Sequence, residues 1–99
     1  PFGIVALEAM AACTPVVVSE VGGLQEVIEH AETGITIQPN SVDSCAWGIL
    51  HTLEHPKWAA QRVENAHEKV LTVYDWDNIA EQTKGVYDRV VEERVRTDW

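Results

Sequence analysis

Positively charged residues are missing from the first half of this 99-residue chain, in which Lys57 is the first lysine or arginine. Sixteen acidic side chains against seven basic ones give a formal net charge of −9. Nucleic acids and anionic membrane surfaces are bound mainly through lysine and arginine. This charge balance therefore excludes nucleic acid and anionic lipid as expected partners.

Long apolar runs and closely spaced cysteines are also lacking. No stretch approaches the roughly 18–20 apolar residues of a membrane-spanning helix, and no signal-peptide pattern opens the sequence. Cys13 and Cys45 lie 32 positions apart, which disfavours a disulfide framework or a thiolate zinc site. We therefore expect a reducing, cytoplasmic location.

The charge is divided unevenly along a chain of otherwise ordinary globular composition, with 45% hydrophobic residues. The first 56 residues contain seven acidic residues and carry −7, whereas the last 43 contain nine acidic and seven basic residues and carry −2. A phosphate group bound by the first half therefore has to be held by backbone amides or by residues outside this sequence.

The hydrophobic pattern predicts helices alternating with strands and then helices alone. Short β-branched runs at 16–18 and 35–37 predict parallel strands covered on both faces. Two strands with a helix between them form a right-handed unit. The fold class is therefore α/β, the C-terminal part of a nucleotide-binding domain whose first strands are expected before Pro1. Helices are expected at 1–12, 24–31, from Asn40 or Ser41 to Pro56, after Pro56 and after Asp75.

Apolar residues at helical spacing predict which helix faces are buried. The opening helix is expected to be buried on most sides. The later helices are expected to bury one stripe each: Val42, Cys45, Ala46, Ile49, Leu50 and Leu53 on the third, Ala59, Val63, Ala66, Val70 and Val73 on the fourth, and Trp76, Ile79, Thr83, Val86, Tyr87 and Val90 on the last.

The start of the opening helix is the first candidate binding site. Unpaired amides at a helix N-terminus attract anions, and Gly3 allows a ligand to approach the backbone closely. Glu8 is the only charged residue among the first nineteen. It follows Gly3 by about 7.5 Å along the helix axis, a separation close to that between a pyrophosphate and its ribose.

A family resemblance rests on the first 39 residues, which read PFGIVALEAMAACTPVVVSEVGGLQEVIEHAETGITIQP. This block resembles the donor-site region of retaining glycosyltransferases with two Rossmann-like domains, the GT-B architecture. It is most similar to family 4, also called group 1, and the glycogen-synthase-like branch carries FGIVALEAM-type sequence as well. Near the end of the chain, the block WDNIAEQTKGVY resembles the same family more loosely.

The resemblance implies a partial Rossmann-like fold in which residues 1–99 form the C-terminal part of a nucleotide-sugar-binding domain, without the N-terminal acceptor domain and the first strands. The full-length protein would transfer a sugar from a nucleotide sugar with retention of configuration, without a cofactor or metal. The acceptor, which is a glycan, a lipid or a small molecule, would bind the missing domain. We expect the isolated chain to be inactive, and to self-associate through exposed edges.

The resemblance also assigns roles to single residues. Glu8 corresponds to the second glutamate of the family's donor signature, which binds the ribose hydroxyls. The first glutamate would lie before Pro1, and the family's pyrophosphate-binding Arg/Lys pair has no counterpart here. The expected nucleotide-sugar-binding residues are Phe2, Gly3, Ile4, Val5 and Glu8, of which Gly3, Ile4 and Val5 would stabilise the leaving group.

Several alternatives remain open. A sugar-nucleotide epimerase of the same architecture or a non-catalytic nucleotide-sugar-binding module would carry the same fold. Gly22 and Gly23 either line the site or form a plain turn. His51, Glu54 and His55 spell H-x-x-E-H, a zinc-binding pattern, but no further ligand is evident and a solvated helix face is the favoured interpretation.

Overall fold

The computed structural model describes residues 3–97, so the predictions for Pro1 and Phe2 lie outside the described residues. Seven elements follow one another in this part of the chain: α1 (Ile4–Ala11), β1 (Val17–Ser19), α2 (Leu24–Val27), β2 (Ile35–Ile37), α3 (Val42–Glu54), α4 (Pro56–Thr72) and α5 (Trp76–Arg96). The strands pair in parallel, with Val17 opposite Ile35 and Ser19 opposite Ile37. The predicted α/β class with two short parallel strands and a helical C-terminal part is thus confirmed.

Element boundaries differ from the predicted ones mainly at α2. The predicted helix of residues 24–31 ends at Val27, because Ile28 adopts an extended conformation with φ −105° and ψ 122°. Ile28 instead packs into the core beside Val27. β1 lies one residue later than predicted, and α1 begins only after Gly3.

α1 ends in a left-handed turn at Cys13. The Cys13 amide donates to the Met10 carbonyl at 3.2 Å, and the Thr14 amide donates to the Ala9 carbonyl at 3.0 Å. These two bonds form a Schellman motif, which usually places glycine at the position of Cys13. Cys13 has a φ of 59°, so a residue with a Cβ adopts here the backbone geometry that glycine favours.

The core is small and lies between α1, β1 and α4. Met10 and Val27 are completely buried, and Val16, Ile28 and Ala66 complete the cluster. α1 covers this core with one side only: Ala6 and Met10 are buried, whereas Ile4 and Val5 are 62% and 78% exposed. The prediction that α1 is buried on most sides is therefore wrong, since no element of residues 3–97 covers its outer face.

α3 approaches the sheet through a glycine rather than through its apolar stripe. Gly48 is buried against β1 and β2, while Val42, Ile49, Leu50 and Leu53 are 47–84% exposed. The predicted buried face of α3 is therefore wrong, because the helix packs on the strands at Gly48, which has no side chain.

α4 holds the connection between α2 and β2 in place. The Lys69 ammonium donates to the Val27 carbonyl at 3.1 Å and to the Glu29 carboxylate at 2.9 Å. The Lys69 ammonium lowers the pKa of the Glu29 carboxyl. The side-chain Nδ2 of Asn65 donates to the Glu32 backbone carbonyl at 2.9 Å. On the inward side of α4, Ala59 and Ala66 are buried as predicted, and Arg62 is buried between them.

α5 projects away from this core. Its N-cap is Asp75, as predicted, and the Asp75 carboxylate accepts from the Asp77 amide at 3.2 Å. None of its residues is buried, so the predicted buried stripe is wrong within residues 3–97. The described part of the chain is accordingly elongated, measuring 59 × 27 × 17 Å. Among its helices, none has both the length and the apolar character needed to cross a bilayer.

The two edges of the sheet differ. The outer edge of β2 is closed by a side chain, because the Thr36 amide donates to His30 Nδ1 at 3.0 Å. β1 bonds to β2 through the Val16 carbonyl and the Glu20 amide. Successive residues of a strand point their amides to opposite edges, so the Val17 amide points to the edge of β1 that lies away from β2. No strand of residues 3–97 pairs with that edge. The sheet can therefore be extended only beside β1.

The contact at Gly48 predicts opposite effects for two glycine-to-alanine substitutions. A Cβ at Gly48 would lie 2.7 Å from Ile37 Cγ2 and 2.9 Å from Val17 Cγ1, whereas a Cβ at Gly85 on α5 would meet no atom within 4 Å. Gly48→Ala should lower the free energy of unfolding by about 1–2 kcal/mol through overpacking, and Gly85→Ala should raise it by up to about 1 kcal/mol. Urea denaturation measures both. Equal stabilisation by the two substitutions would contradict the close contact.

Candidate functional site

The backbone of Gly3 fixes where α1 begins. Gly3 has φ 87° and ψ 42°, the left-handed conformation that L-residues rarely adopt. A Cβ at this position would also lie 2.5 Å from Leu24 Cδ2. Both observations favour glycine, because a residue with a Cβ would be strained at this φ and the Leu24 side chain would have to shift. Because α1 runs antiparallel to β1, which follows it, its N-terminus lies at the carboxyl end of that strand, where open α/β sheets bind ligands.

The first amides of α1 have no partner within the helix. The first four N–H groups of an α-helix lack an intrahelical acceptor four residues back, and no side chain caps this N-terminus. The Ala6 amide donates to the Gly3 carbonyl at 3.0 Å in the first turn. The amides of Ile4 and Val5 are left to bind a ligand, and the dipole of the helix adds positive potential there.

An open groove adjoins this N-terminus. Its volume is about 570 Å³, and it runs along the unpaired edge of β1. Gly3 and Val5 of α1 form one wall, and Val21 and Leu24 form the end near the carboxyl end of β1. The sequence analysis missed Val21 and Leu24, which no motif marks. The groove is lined almost entirely by apolar side chains, so its polar contacts have to come from backbone groups.

Glu8 lies on the exposed outer side of α1, which also carries Ile4 and Val5. Its carboxylate makes no hydrogen bond or ion pair with any of residues 3–97. At 100° per residue, Glu8 points between the directions of Ile4 and Val5. The structure thus places Ile4, Val5 and Glu8 on one side of α1, directly after Gly3. Of these four predicted site residues, Gly3 and Val5 line the groove and Ile4 and Glu8 do not, while Phe2 falls outside the described residues.

The Gly22–Gly23 loop meets the same region. Gly22 has a φ of 49°, and the Val21 amide donates to the Ser19 carbonyl at 2.8 Å in a tight turn. Neither glycine lines the groove; their neighbours Val21 and Leu24 do. The glycines lie in the turn between Val21 and Leu24, at the end of the groove.

The charged groups near the groove are acidic. The Glu20 carboxylate follows β1 and accepts from the Thr36 hydroxyl at 3.0 Å. Every lysine and arginine of the chain lies at or after Lys57, and the Lys69 ammonium is already bound to the Val27 carbonyl and Glu29. Among residues 3–97, no lysine or arginine lines the groove, so the helix amides are the groups there that can attract an anion into it.

A family model for glycosyl transferases group 1 matches residues 1–69. The chain belongs to this family. This group 1 chain is 52% identical over 92 residues to an uncharacterized glycosyltransferase of Methanocaldococcus jannaschii, covering 93% of this chain and 24% of that protein. It is 39% identical over 87 residues to a glycogen synthase of Mycobacterium tuberculosis, covering 88% of this chain and 21% of that protein.

Solved structures of other proteins contain the same fold as this chain. The chain superimposes with a TM-score of 0.82 on sucrose-phosphate synthase from Thermosynechococcus elongatus, at 39% identity over 94% of this chain and 23% of that one. It also superimposes with a TM-score of 0.83 on the Anabaena protein HepE, solved in complex with UDP, at 29% identity over 90% of this chain and 24% of that one. The group 1 chain thus spans about a quarter of the length of the proteins that it matches.

A second cluster of the group 1 chain contains the two histidines of the H-x-x-E-H motif. Trp47, His51, His55 and Trp58 form a continuous stack, which we call the aromatic ladder. Successive ring centroids lie 4.9, 4.5 and 4.4 Å apart. No three histidine, cysteine, aspartate or glutamate side chains of residues 3–97 gather closely enough to hold a metal ion. In this part of the chain, the two histidines of the motif belong to a stack of rings.

The environment of His51 in the aromatic ladder lowers its pKa below the usual value of 6.5. Burial of the ring is the largest cause, and the nearby His55 and Arg62 add to it, as does His30 more weakly, while Glu54 acts in the opposite direction. The guanidinium of Arg62 is itself buried, and its Nη2 has no hydrogen-bond partner among residues 3–97.

We expect acid to destabilise the fold through His51. Because the folded state binds this proton less readily than the unfolded state, the free energy of unfolding should fall as the pH drops below about 6.5. Denaturant unfolding at pH 7.5 and 5.5 should show that the free energy of unfolding falls more in the wild type than in His51→Gln. His67→Gln is the matched control, since His67 lies about 13 Å beyond Trp58 along α4. Equal losses in wild type and His51→Gln would contradict this assignment.

Proposed function

We propose that this group 1 chain is the C-terminal part of the donor-binding domain of a retaining, metal-independent glycosyltransferase. The full-length protein would transfer a sugar from a nucleotide sugar to a glycan, lipid or small-molecule acceptor bound by another domain. The observation that carries the proposal is the start of α1, where Gly3 presents unpaired amides to an open groove that has no cationic side chain of its own. The solved HepE complex with UDP and glucose supports it.

The chemistry follows from the geometry of α1. When the sugar leaves the nucleotide, negative charge develops on the diphosphate. The amides of Gly3, Ile4 and Val5 are fixed by the helix and need no reorganisation to stabilise that charge. Glu8, one to two turns further along, would accept hydrogen bonds from two vicinal hydroxyls of the ribose, a charge-assisted contact that orients the nucleotide.

The single open edge of the sheet supports the domain assignment. His30 closes the outer edge of β2, so further strands can be added only beside β1, where the groove exposes Val17 and Val18. A preceding strand of the same domain would fill the part of the groove beside Val17 and Val18, and the part at Gly3, Val21 and Leu24 would remain for the ligand. The relatives and the solved structures, about four times as long as this chain, leave room for that strand and for an acceptor domain.

The relatives named above are glycosyltransferases, so the epimerase alternative has no support. A non-catalytic module remains as the second candidate, and a rate measurement separates it from an enzyme.

We also propose a cytoplasmic location, supported by the unpaired thiols of Cys13 and Cys45. Isolated residues 1–99 should not turn over a nucleotide sugar, since the acceptor side is lacking.

Replacing Glu8 tests the proposed site. In the full-length protein, Glu8→Gln removes a charged hydrogen-bond acceptor worth about 1.5–3 kcal/mol. The affinity for a nucleoside diphosphate should therefore fall about 10- to 100-fold in calorimetric titration, with a matching loss in kcat/KM. Glu26→Gln is the matched control, because it removes the same charge from the exposed side of α2, close to the groove. An unchanged affinity in Glu8→Gln, or an equal loss in Glu26→Gln, would contradict the role of Glu8.

The uncovered surfaces predict self-association of residues 1–99 when they are produced alone. The open edge of β1 and the outer sides of α1 and α5 expose apolar groups to water, and unpaired edges promote pairing between chains. Light scattering across a concentration series should show a mass above that of one chain that rises with concentration. A single-chain mass throughout would contradict this expectation.

A further inference from the structure

The aromatic ladder lies away from the donor groove. α3 begins after the carboxyl end of β2 and runs back for 13 residues, about 20 Å, so its last turn lies near the amino ends of the strands. His55 joins α3 directly to α4, and Pro56 starts α4 at once. This tight junction places Trp58 in the first turn of α4, stacked on His55 at an interplanar angle of 4°.

The ladder is exposed to solvent at both ends. The side chains of Trp47 and Trp58 are 49% and 56% exposed, although exposed tryptophan is uncommon on soluble proteins. Stacking on the two imidazoles holds the tryptophan rings in fixed orientations, so little side-chain entropy remains to be lost when a ligand binds. A fixed, half-exposed ring is a preformed surface for stacking.

A shallow depression of about 310 Å³ adjoins Trp58. Glu54, His55, Pro56, Lys57 and Trp58 line it, and its volume is at the lower end of the range for small-molecule sites. It combines an aromatic ring with a hydrogen-bond acceptor in the Glu54 carboxylate and a donor in the Lys57 ammonium. A pyranose has matching groups, since its axial C–H bonds form an apolar face and its hydroxyls both donate and accept.

The charges at the ladder favour a neutral ligand. Glu54 and Lys57 carry opposite charges, and the lowered pKa of His51 keeps that ring uncharged at neutral pH. A nucleotide would also stack on Trp58, but the Glu54 carboxylate in this depression offsets the charge of Lys57 and repels phosphate groups, in a chain of net charge −9. The C–H face of a neutral sugar carries a small positive polarisation, which the negative face of an indole attracts.

We propose that the aromatic ladder is a binding site for a neutral oligosaccharide, in which Trp58 stacks on the C–H face of one pyranose and Glu54 and Lys57 hydrogen-bond its hydroxyls. Trp47, at the other end of the stack, extends the site to a further sugar unit. The site is separate from the donor groove, so binding does not depend on the proposed transfer reaction. It gives the protein a second point of attachment to carbohydrate.

Titration of the full-length protein with neutral oligosaccharides tests the proposal. Maltohexaose, cellohexaose and mannohexaose are the probes, measured by calorimetry and saturation-transfer NMR at up to roughly 10 mM, the range of weak ligands. At least one probe should bind. Trp58→Ala should weaken that binding about tenfold or more, and Trp58→Phe, which keeps a smaller ring, should weaken it less. Saturating UDP should leave the binding unchanged, because the two sites are separate.

Trp76→Ala is the matched control. Trp76 is 80% exposed at the start of α5 and takes no part in the ladder, so its removal should leave oligosaccharide binding as it is. Thermal unfolding monitored by circular dichroism shows whether each variant is folded. The proposal is overturned if no probe binds the wild type, if Trp58→Phe and Trp58→Ala bind as tightly as the wild type while folded, or if Trp76→Ala weakens binding equally. Binding that UDP abolishes, or a ladder that binds only a protein partner, also overturns it.

Discussion

The left-handed backbone of Gly3 is the constraint on which the proposed site depends. It brings α1 against Leu24 and places the start of the helix at the groove beside β1. The first 56 residues contain no lysine or arginine, and none lines this groove, so the groups of residues 3–97 that attract an anion into it are backbone dipoles. A site built in this way depends on backbone geometry, which explains why a glycine with a positive φ stands at its entrance.

The rest of the described chain serves to hold that geometry. Lys69 and Asn65 of α4 bind carbonyls of the α2–β2 connection, and Gly48 lets α3 lie directly on both strands. The buried core is small, and the outer sides of α1, α3 and α5 are left uncovered within residues 3–97. These uncovered sides support the proposal that the chain is one part of a larger domain, and the relatives that it matches are about four times as long.

The sequence predicted the order of the helices and strands correctly, but it did not predict which helix faces are buried. The β-branched run Ile35–Ile37 forms β2 as predicted, and Asp75 caps α5 as predicted. Ser41, one of the two predicted candidates, caps α3. These signals are local. The buried faces of α1, α3 and α5 were wrong, since an apolar stripe shows that a helix needs a partner and not whether the partner lies in the same segment. The prediction for α3 was wrong because this helix contacts the sheet at Gly48, where the absence of a side chain allows the close approach.

The candidate site was predictable in part for the same reason. Gly3, Ile4, Val5 and Glu8 are neighbours on one helix, so their spacing places them together, whereas Val21 and Leu24 reach the groove through a tertiary contact that no pattern marks. The aromatic ladder has a signal that the sequence analysis did not use: Trp47, His51, His55 and Trp58 follow one another at spacings of four, four and three residues. Such spacings bring rings together along a helix face.

A crystal structure of the full-length protein with a nucleoside diphosphate tests the central claim most directly. The account predicts diphosphate oxygens about 2.9 Å from the amide nitrogens at Ile4 and Val5, and both ribose hydroxyls bound to the Glu8 carboxylate. A diphosphate held away from the start of α1, or a Glu8 carboxylate turned to solvent in the complex, would contradict it.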